Sequence, residues 1–119
     1  MIVESTGNLL DASVDALVNP VNTFGVMGTM FVTETSLLAP RFIVNFPTKK
    51  HWGPSSQIEY IRDGLVDLIV QVRLRHINSI AIPALGCGLG GLAWSDVRPL
   101  IETAFEQVPD VRVLLFAPR

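Results

Sequence analysis

The sequence predicts an α/β domain, and three observations carry the prediction. Short β-rich runs alternate with two longer stretches of helical periodicity. Two of the runs open into loops that contain several glycines. The length, 119 residues, suffices for one modest core and not for two, so a single domain over 1–119 is expected.

Taken in order, residues 2–4 and 16–18 read as short strands, the second entering a Pro-Val-Asn turn and then a loop with Gly25 and Gly28. Residues 30–35 and 41–46 are consecutive β-rich runs separated by a Leu-Leu-Ala-Pro turn, and Pro47 should end the second. From a cap at Ser55 or Ser56 to about His76, the residues Ile58, Ile61, Leu65, Leu68, Ile69 and Val72 recur at helical spacing. Residues 79–83 form an apolar strand that opens into the 86–91 glycine loop. A second helix starts with Ser95 as its cap, carries Val97, Leu100, Ile101, Ala104 and Phe105 on one face, and stops near Val108-Pro109. Residues 111–116 are the closing strand.

Hydrophobic residues make up 49% of the chain and charged ones 17%, a surplus of apolar surface that points to a partner-covered face. Every apolar run is interrupted by Gly, Pro or charge, well short of the ~20 residues that span a bilayer. No secretory leader is legible at Met1-Ile2-Val3-Glu4, and the lone cysteine, Cys87, has no partner for an internal disulfide. Both observations favour a cytoplasmic protein. The net charge of -2 offers no bulk attraction to nucleic acid, so any DNA contact must rest on a local patch. Lys49 and Lys50, the two lysines of the chain, form such a patch with His51, Trp52 and Arg41, although a solvated turn accounts for the same residues.

Two loops can carry chemistry. Gly86, Gly88, Gly90 and Gly91, set between a strand and a helix, bare backbone amides that a diphosphate can approach; tight connections also need glycine for conformation alone. The loop is not a nucleotide P-loop, because no Gly-Lys-Ser/Thr closes it. A second loop, Asn22-Thr23-Phe24-Gly25-Val26-Met27-Gly28, also follows a strand, so the two can face each other across one cleft. Asn19 and Asn22 flank Pro20 and offer amides suited to ribose hydroxyls, or serve the turn. Cys87 has no histidine-acid relay in sequence and reads as a packing residue. With only His51 and His76 and no acidic cluster of ligand spacing, no metal site is expected. Lys49 beside Lys50 has the neighbouring charge that can lower a lysine pKa for attack on a sugar carbon or for stabilising a leaving group.

Gly7-Asn8-Leu9-Leu10, Val18-Asn19-Pro20-Val21-Asn22, Gly25-Val26-Met27-Gly28, Asn45-Phe46-Pro47-Thr48-Lys49-Lys50-His51-Trp52 and the stretch 83–94 together resemble DarG-type macro domains, almost end to end. The Asn-Phe-Pro-Thr-Lys block is the most specific of these. The resemblance implies a three-layer α/β/α fold with a mixed, mostly parallel central sheet. It implies an ADP-ribosyl glycohydrolase that removes ADP-ribose from thymidine in single-stranded DNA, acts as antitoxin to a DarT-type toxin, and needs no cofactor. Carried over by position, it assigns Asn8 and Leu9 to the adenine, and Gly25, Val26, Met27 and Gly28 to the distal ribose and diphosphate. Gly86, Cys87, Gly88, Leu89, Gly90, Gly91 and Leu92 hold the diphosphate from the other side, with Pro83, Leu85, Asn19 and Thr23 also at the ligand. Asn22 orients the distal ribose, and Lys49 is the catalytic residue.

One departure stands out: in the family, Gly-Val-Met-Gly continues into Lys-Gly-Ile-Ala and an amphipathic helix, whereas here Thr29 follows Gly28 at once. The domain should therefore be reduced in helices, with the gap between Gly28 and Thr29. Loss of a helical layer exposes apolar sheet at ~25 cal/mol per Å², so a homodimer in which each subunit covers the other's gap is expected. A non-catalytic ADP-ribose reader, or a degenerate domain acting through protein contacts, is the alternative reading.

Overall fold

The computed structural model describes residues 1–23, 30–50 and 57–118. Six strands form one sheet: β1 (Ile2–Ser5), β2 (Ala16–Thr23), β3 (Phe31–Glu34), β4 (Phe42–Lys50), β5 (Ser79–Ile82) and β6 (Arg112–Phe116). Their order across the sheet is β1-β6-β5-β2-β4-β3, with every pairing parallel except β3 with β4. The sheet is thus mixed and mostly parallel, as expected.

Two α-helices, α1 (Ile58–Leu74) and α2 (Trp94–Phe105), supply the crossovers from β4 to β5 and from β5 to β6. Both crossovers step in the same direction along the sheet, so right-handed connection places both helices on one face. There Ile61, Leu65, Leu68, Val97, Ile101 and Phe105 bury against Val18, Val44, Phe46, Ile80, Ile82, Val113 and Leu115. The step from β1 to β2 runs the other way, and its connection covers part of the opposite face. Val14, with half-buried Leu9 and Ala12, packs there on Leu17 and Ala81. This layer holds a 3-10 turn, Leu9–Asp11, and no α-helix lies on that face among the described residues.

Several boundaries differ from the sequence expectation. β2 and β4 run on through Pro20 and Pro47 to Thr23 and Lys50. Pro47 does not end its strand because it precedes a register slip, where a missing N–H is tolerated. Helix α1 starts at Ile58 with Gln57 in the cap position and no side-chain capping bond; Ser55 and Ser56 lie outside the described residues. Helix α2 is capped by Ala93, not Ser95, and ends at Phe105. Its first turn carries Asp96, which favours the positive end of the helix dipole. Gly64 of α1 faces Phe46: a Cβ there would lie 2.6 Å from Cε1 of that ring and closer still to Cζ, so only glycine lets helix and strand approach this far.

Candidate functional site

Because β1, β6, β5, β2 and β4 all run parallel, their carboxyl ends fall on one edge of the sheet. From β2 the chain proceeds toward β3 and β4, and from β5 toward α2 and β6. The order therefore reverses between β2 and β5, and open α/β sheets bind ligands in the crevice at such a point. Here the crevice is real: β2 pairs with β5 only at Ala16 and Leu17, while β2 continues six residues further. The opposite ends of these strands are tied, since Asp15 N donates to Ser79 Oγ at 2.8 Å and Asn78 N to Asp15 Oδ2 at 2.8 Å.

On one side of the crevice, the β2–β4 ladder slips by one residue between Val21 and Asn22. Thr48 is the residue passed over, so the backbone of Asn22 stands opposite Lys49 and that of Thr23 opposite Lys50. The two residues assigned catalytic roles are register partners only because of this bulge. Two positions before it, Asn19 pairs with Asn45. Asn19 Nδ2 donates to Asn45 Oδ1 at 3.1 Å, and Asn45 is buried.

On the other side, the segment after β5 closes on itself. Cys87 N donates to Ala84 O, Gly91 N to Gly88 O and Leu92 N to Gly86 O, at 3.0–3.1 Å, around a 3-10 turn Gly88–Gly90. Gly86, Gly88 and Gly91 have φ of 73°, 68° and 85°, a region L side chains avoid. A Cβ on Gly88 or Gly91 would meet nothing within 4 Å, so these glycines answer to backbone conformation and leave open space above the loop. Leu85 is fully buried and its side chain packs in the core. Leu92 packs partly against the same core, and Leu89 lies within the 3-10 turn. Burial raises the Cys87 thiol pKa, and Sγ lies 3.7 Å from Leu85 O, which suits a packing thiol.

At the β1–β6 end of the edge lies an open cleft of about 590 Å³. Asn8, Leu9 and Pro83 line it together with Phe116, Ala84 and Glu4. Asn8 Oδ1 accepts from Leu10 N at 2.9 Å and so shapes the turn. Phe116, an aromatic ring at the end of β6, was not foreseen as a site residue; its place in a closing strand gave no signal beyond its being aromatic. Glu4 accepts from Trp94 Nε1 at 3.3 Å and from Arg98 Nη1 at 2.9 Å, which ties β1 to the helix that follows the glycine loop. Gly25, Val26, Met27 and Gly28, and with them the facing of the two loops, lie outside the described residues, as do His51 and Trp52. Among the described residues, no group of three His, Cys, Asp or Glu side chains is placed to hold a metal, and no helix is long and apolar enough to cross a membrane.

A six-stranded mixed sheet with this crevice and glycine loop defines a class, and residues 1–101 match the Macro domain family: the chain is a macro domain. Within that family it is similar to the DNA ADP-ribosyl glycohydrolase of Mycobacterium tuberculosis, with 40% identity over 99% of this chain and 42% of that protein. It superposes on the structure titled the macrodomain of Mycobacterium tuberculosis DarG with a TM-score of 0.94, covering 100% of this chain and 99% of that one. The structure titled Thermosipho africanus DarTG in complex with ADP-ribose is 26% identical, with a TM-score of 0.85 over 98% of this chain and 41% of that one. The chain spans about two-fifths of the length of the curated relatives it matches.

Proposed function

We propose that this macro domain binds ADP-ribose along the carboxyl edge of its sheet and hydrolyses it from thymidine in DNA, reversing the action of a DarT-type toxin. The observation that carries the reading is the order of features along that edge. The cleft of Asn8, Leu9 and Phe116 comes first, then the glycine loop, then the Asn22–Lys49 pair. That is the order of adenine, diphosphate and distal ribose in ADP-ribose. The names of the M. tuberculosis and T. aquaticus relatives, both DNA ADP-ribosyl glycohydrolases, support it, as does the ADP-ribose complex of the T. africanus protein.

In this reading the loop from Gly86 to Leu92 receives the diphosphate on its backbone, with Gly25 to Gly28 on the far side. Asn22 orients the distal ribose. Lys49 attacks the anomeric carbon or stabilises the charge developing as the thymine base leaves, and water completes the hydrolysis. Lys50, His51 and Trp52 supply cation and ring for the single-stranded DNA. The alignment with the M. tuberculosis relative runs over 149 residues against the 119 of this chain, which supports a shortened domain; this reading puts the gap between Gly28 and Thr29. A cytoplasmic setting and a homodimer across the uncovered sheet face belong to the same reading.

Turnover of single-stranded DNA carrying ADP-ribosyl-thymidine tests it. The wild-type chain should release ADP-ribose, while Lys49→Ala should lose turnover by about 100-fold or more and keep ADP-ribose affinity within a few-fold, as expected when a transition-state interaction is removed. Binding without turnover in the wild type would establish the reader alternative instead.

A further inference from the structure

Asn45 lies in the middle of β4 and is 6% exposed, buried where Asn8, Asn19 and Asn78 are exposed. Its carboxamide spans three strands. Nδ2 donates to Phe31 O at 3.3 Å and to Thr33 Oγ1 at 3.3 Å on β3, and Oδ1 accepts from Asn19 Nδ2 at 3.1 Å on β2. The two ends of a carboxamide look alike in shape, but Phe31 O is a backbone carbonyl and can only accept. The end of Asn45 that faces it must therefore be Nδ2, which turns Oδ1 toward Asn19. Asn19 must answer with its own Nδ2. Its remaining group, Oδ1, is then an acceptor carried on an exposed residue, and no bond to it is made among the side chains described.

We propose that Asn45 is a positioning residue: by fixing which way the Asn19 carboxamide faces, it presents Asn19 Oδ1 as an acceptor for a hydroxyl of the ADP-ribose riboses. The inference rests on the ADP-ribose reading above. Strand geometry sets Asn19 three residues, roughly 10 Å, before Asn22 on β2, so it meets a different part of the ligand from the reacting end. Without Asn45 the Asn19 amide rotates freely and offers donor or acceptor alike. With it, the position selects a ligand group that donates.

A double-mutant cycle tests the proposal. Asn45→Ala should weaken ADP-ribose binding by roughly three- to tenfold in the wild-type background, the range of one neutral hydrogen bond, and by less than twofold in an Asn19→Ala background. Equal losses in both backgrounds would mean that Asn45 acts only through stability and would overturn the proposal. If Asn45→Ala does not fold, Asn45→Ser repeats the cycle with a small polar group at the buried position. The orientation itself needs no ligand. In the wild-type chain the Asn19 side-chain NH2 protons should exchange slowly by NMR, and Asn45→Ala or Asn45→Ser should speed their exchange. Unchanged exchange overturns the orientation claim. Failure of the wild-type chain to bind ADP-ribose, with slow Asn19 exchange intact, would instead overturn the ligand reading on which the proposal depends.

Discussion

Thr48 is the residue on which the proposed catalytic pairing turns, because the slip that passes it over sets Asn22 opposite Lys49. Its side chain is buried at the irregularity. Cys87, in the glycine loop, gives a second prediction at this scale. Burial raises its pKa, so at neutral pH the thiol stays more protonated than a free one, and alkylation accelerates only as pH rises beyond the ordinary thiol range. Iodoacetamide labelling followed by mass spectrometry should show slow reaction at pH 7, slower again with ADP-ribose present. Fast labelling at pH 7 would contradict the burial. At this scale the sequence singles out the motif residues, Lys49 by its Asn-Phe-Pro-Thr block and Asn8 by its Gly-Asn-Leu-Leu. Asn45 stood in the same block but had no visible role. A lone asparagine in a strand shows its function only when Phe31 and Thr33 of another strand are set beside it.

At the scale of elements, both helices and all six strands were legible from apolar period and turn residues, while strand ends were not. The sequence put the end of β4 at Pro47, since proline lacks the donor a ladder needs. The bulge just after it, together with the flank of β4 that β3 leaves unpaired beyond Asn45 among the described residues, relieves that requirement. Proline punctuates a strand only where its missing N–H has a partner to disappoint, and that depends on neighbours. The contact of Gly64 with Phe46 was equally hidden, because the helix pattern reads the same with alanine there. Alanine has the higher helix propensity by about 1 kcal/mol, yet Gly64→Ala should destabilise the domain by about 1–3 kcal/mol, since overpacking against a ring held at the centre of the core outweighs propensity. Chemical denaturation decides this, and a stabilised Gly64→Ala variant would mean that α1 can retreat from the sheet.

At the scale of the whole molecule, the helices sit on one face, and among the described residues the other is covered only in part. Among the described residues no helix lies over β2, β4 and β3 there, and strand alternation places Asn19, Val21, Ile43, Asn45, Phe31 and Thr33 on this face. Sequence reasoning expected an apolar surface here. The face is instead mixed: the Asn19–Asn45–Thr33 ladder crosses it, and Phe31, 56% exposed, is its large apolar side chain. Phe31 gives a second copy something to cover. Light scattering coupled to size exclusion should find a dimer for the wild type and a shift to monomer for Phe31→Ser; a stable, folded monomeric wild type would remove the homodimer from the account. The central claim is that the carboxyl edge of the sheet still forms an ADP-ribose site in so short a macro domain. Calorimetric titration of the purified chain with ADP-ribose tests it most directly. The account predicts saturable one-to-one binding in the micromolar range, and a folded sample that gives no binding heat at millimolar ligand would contradict it.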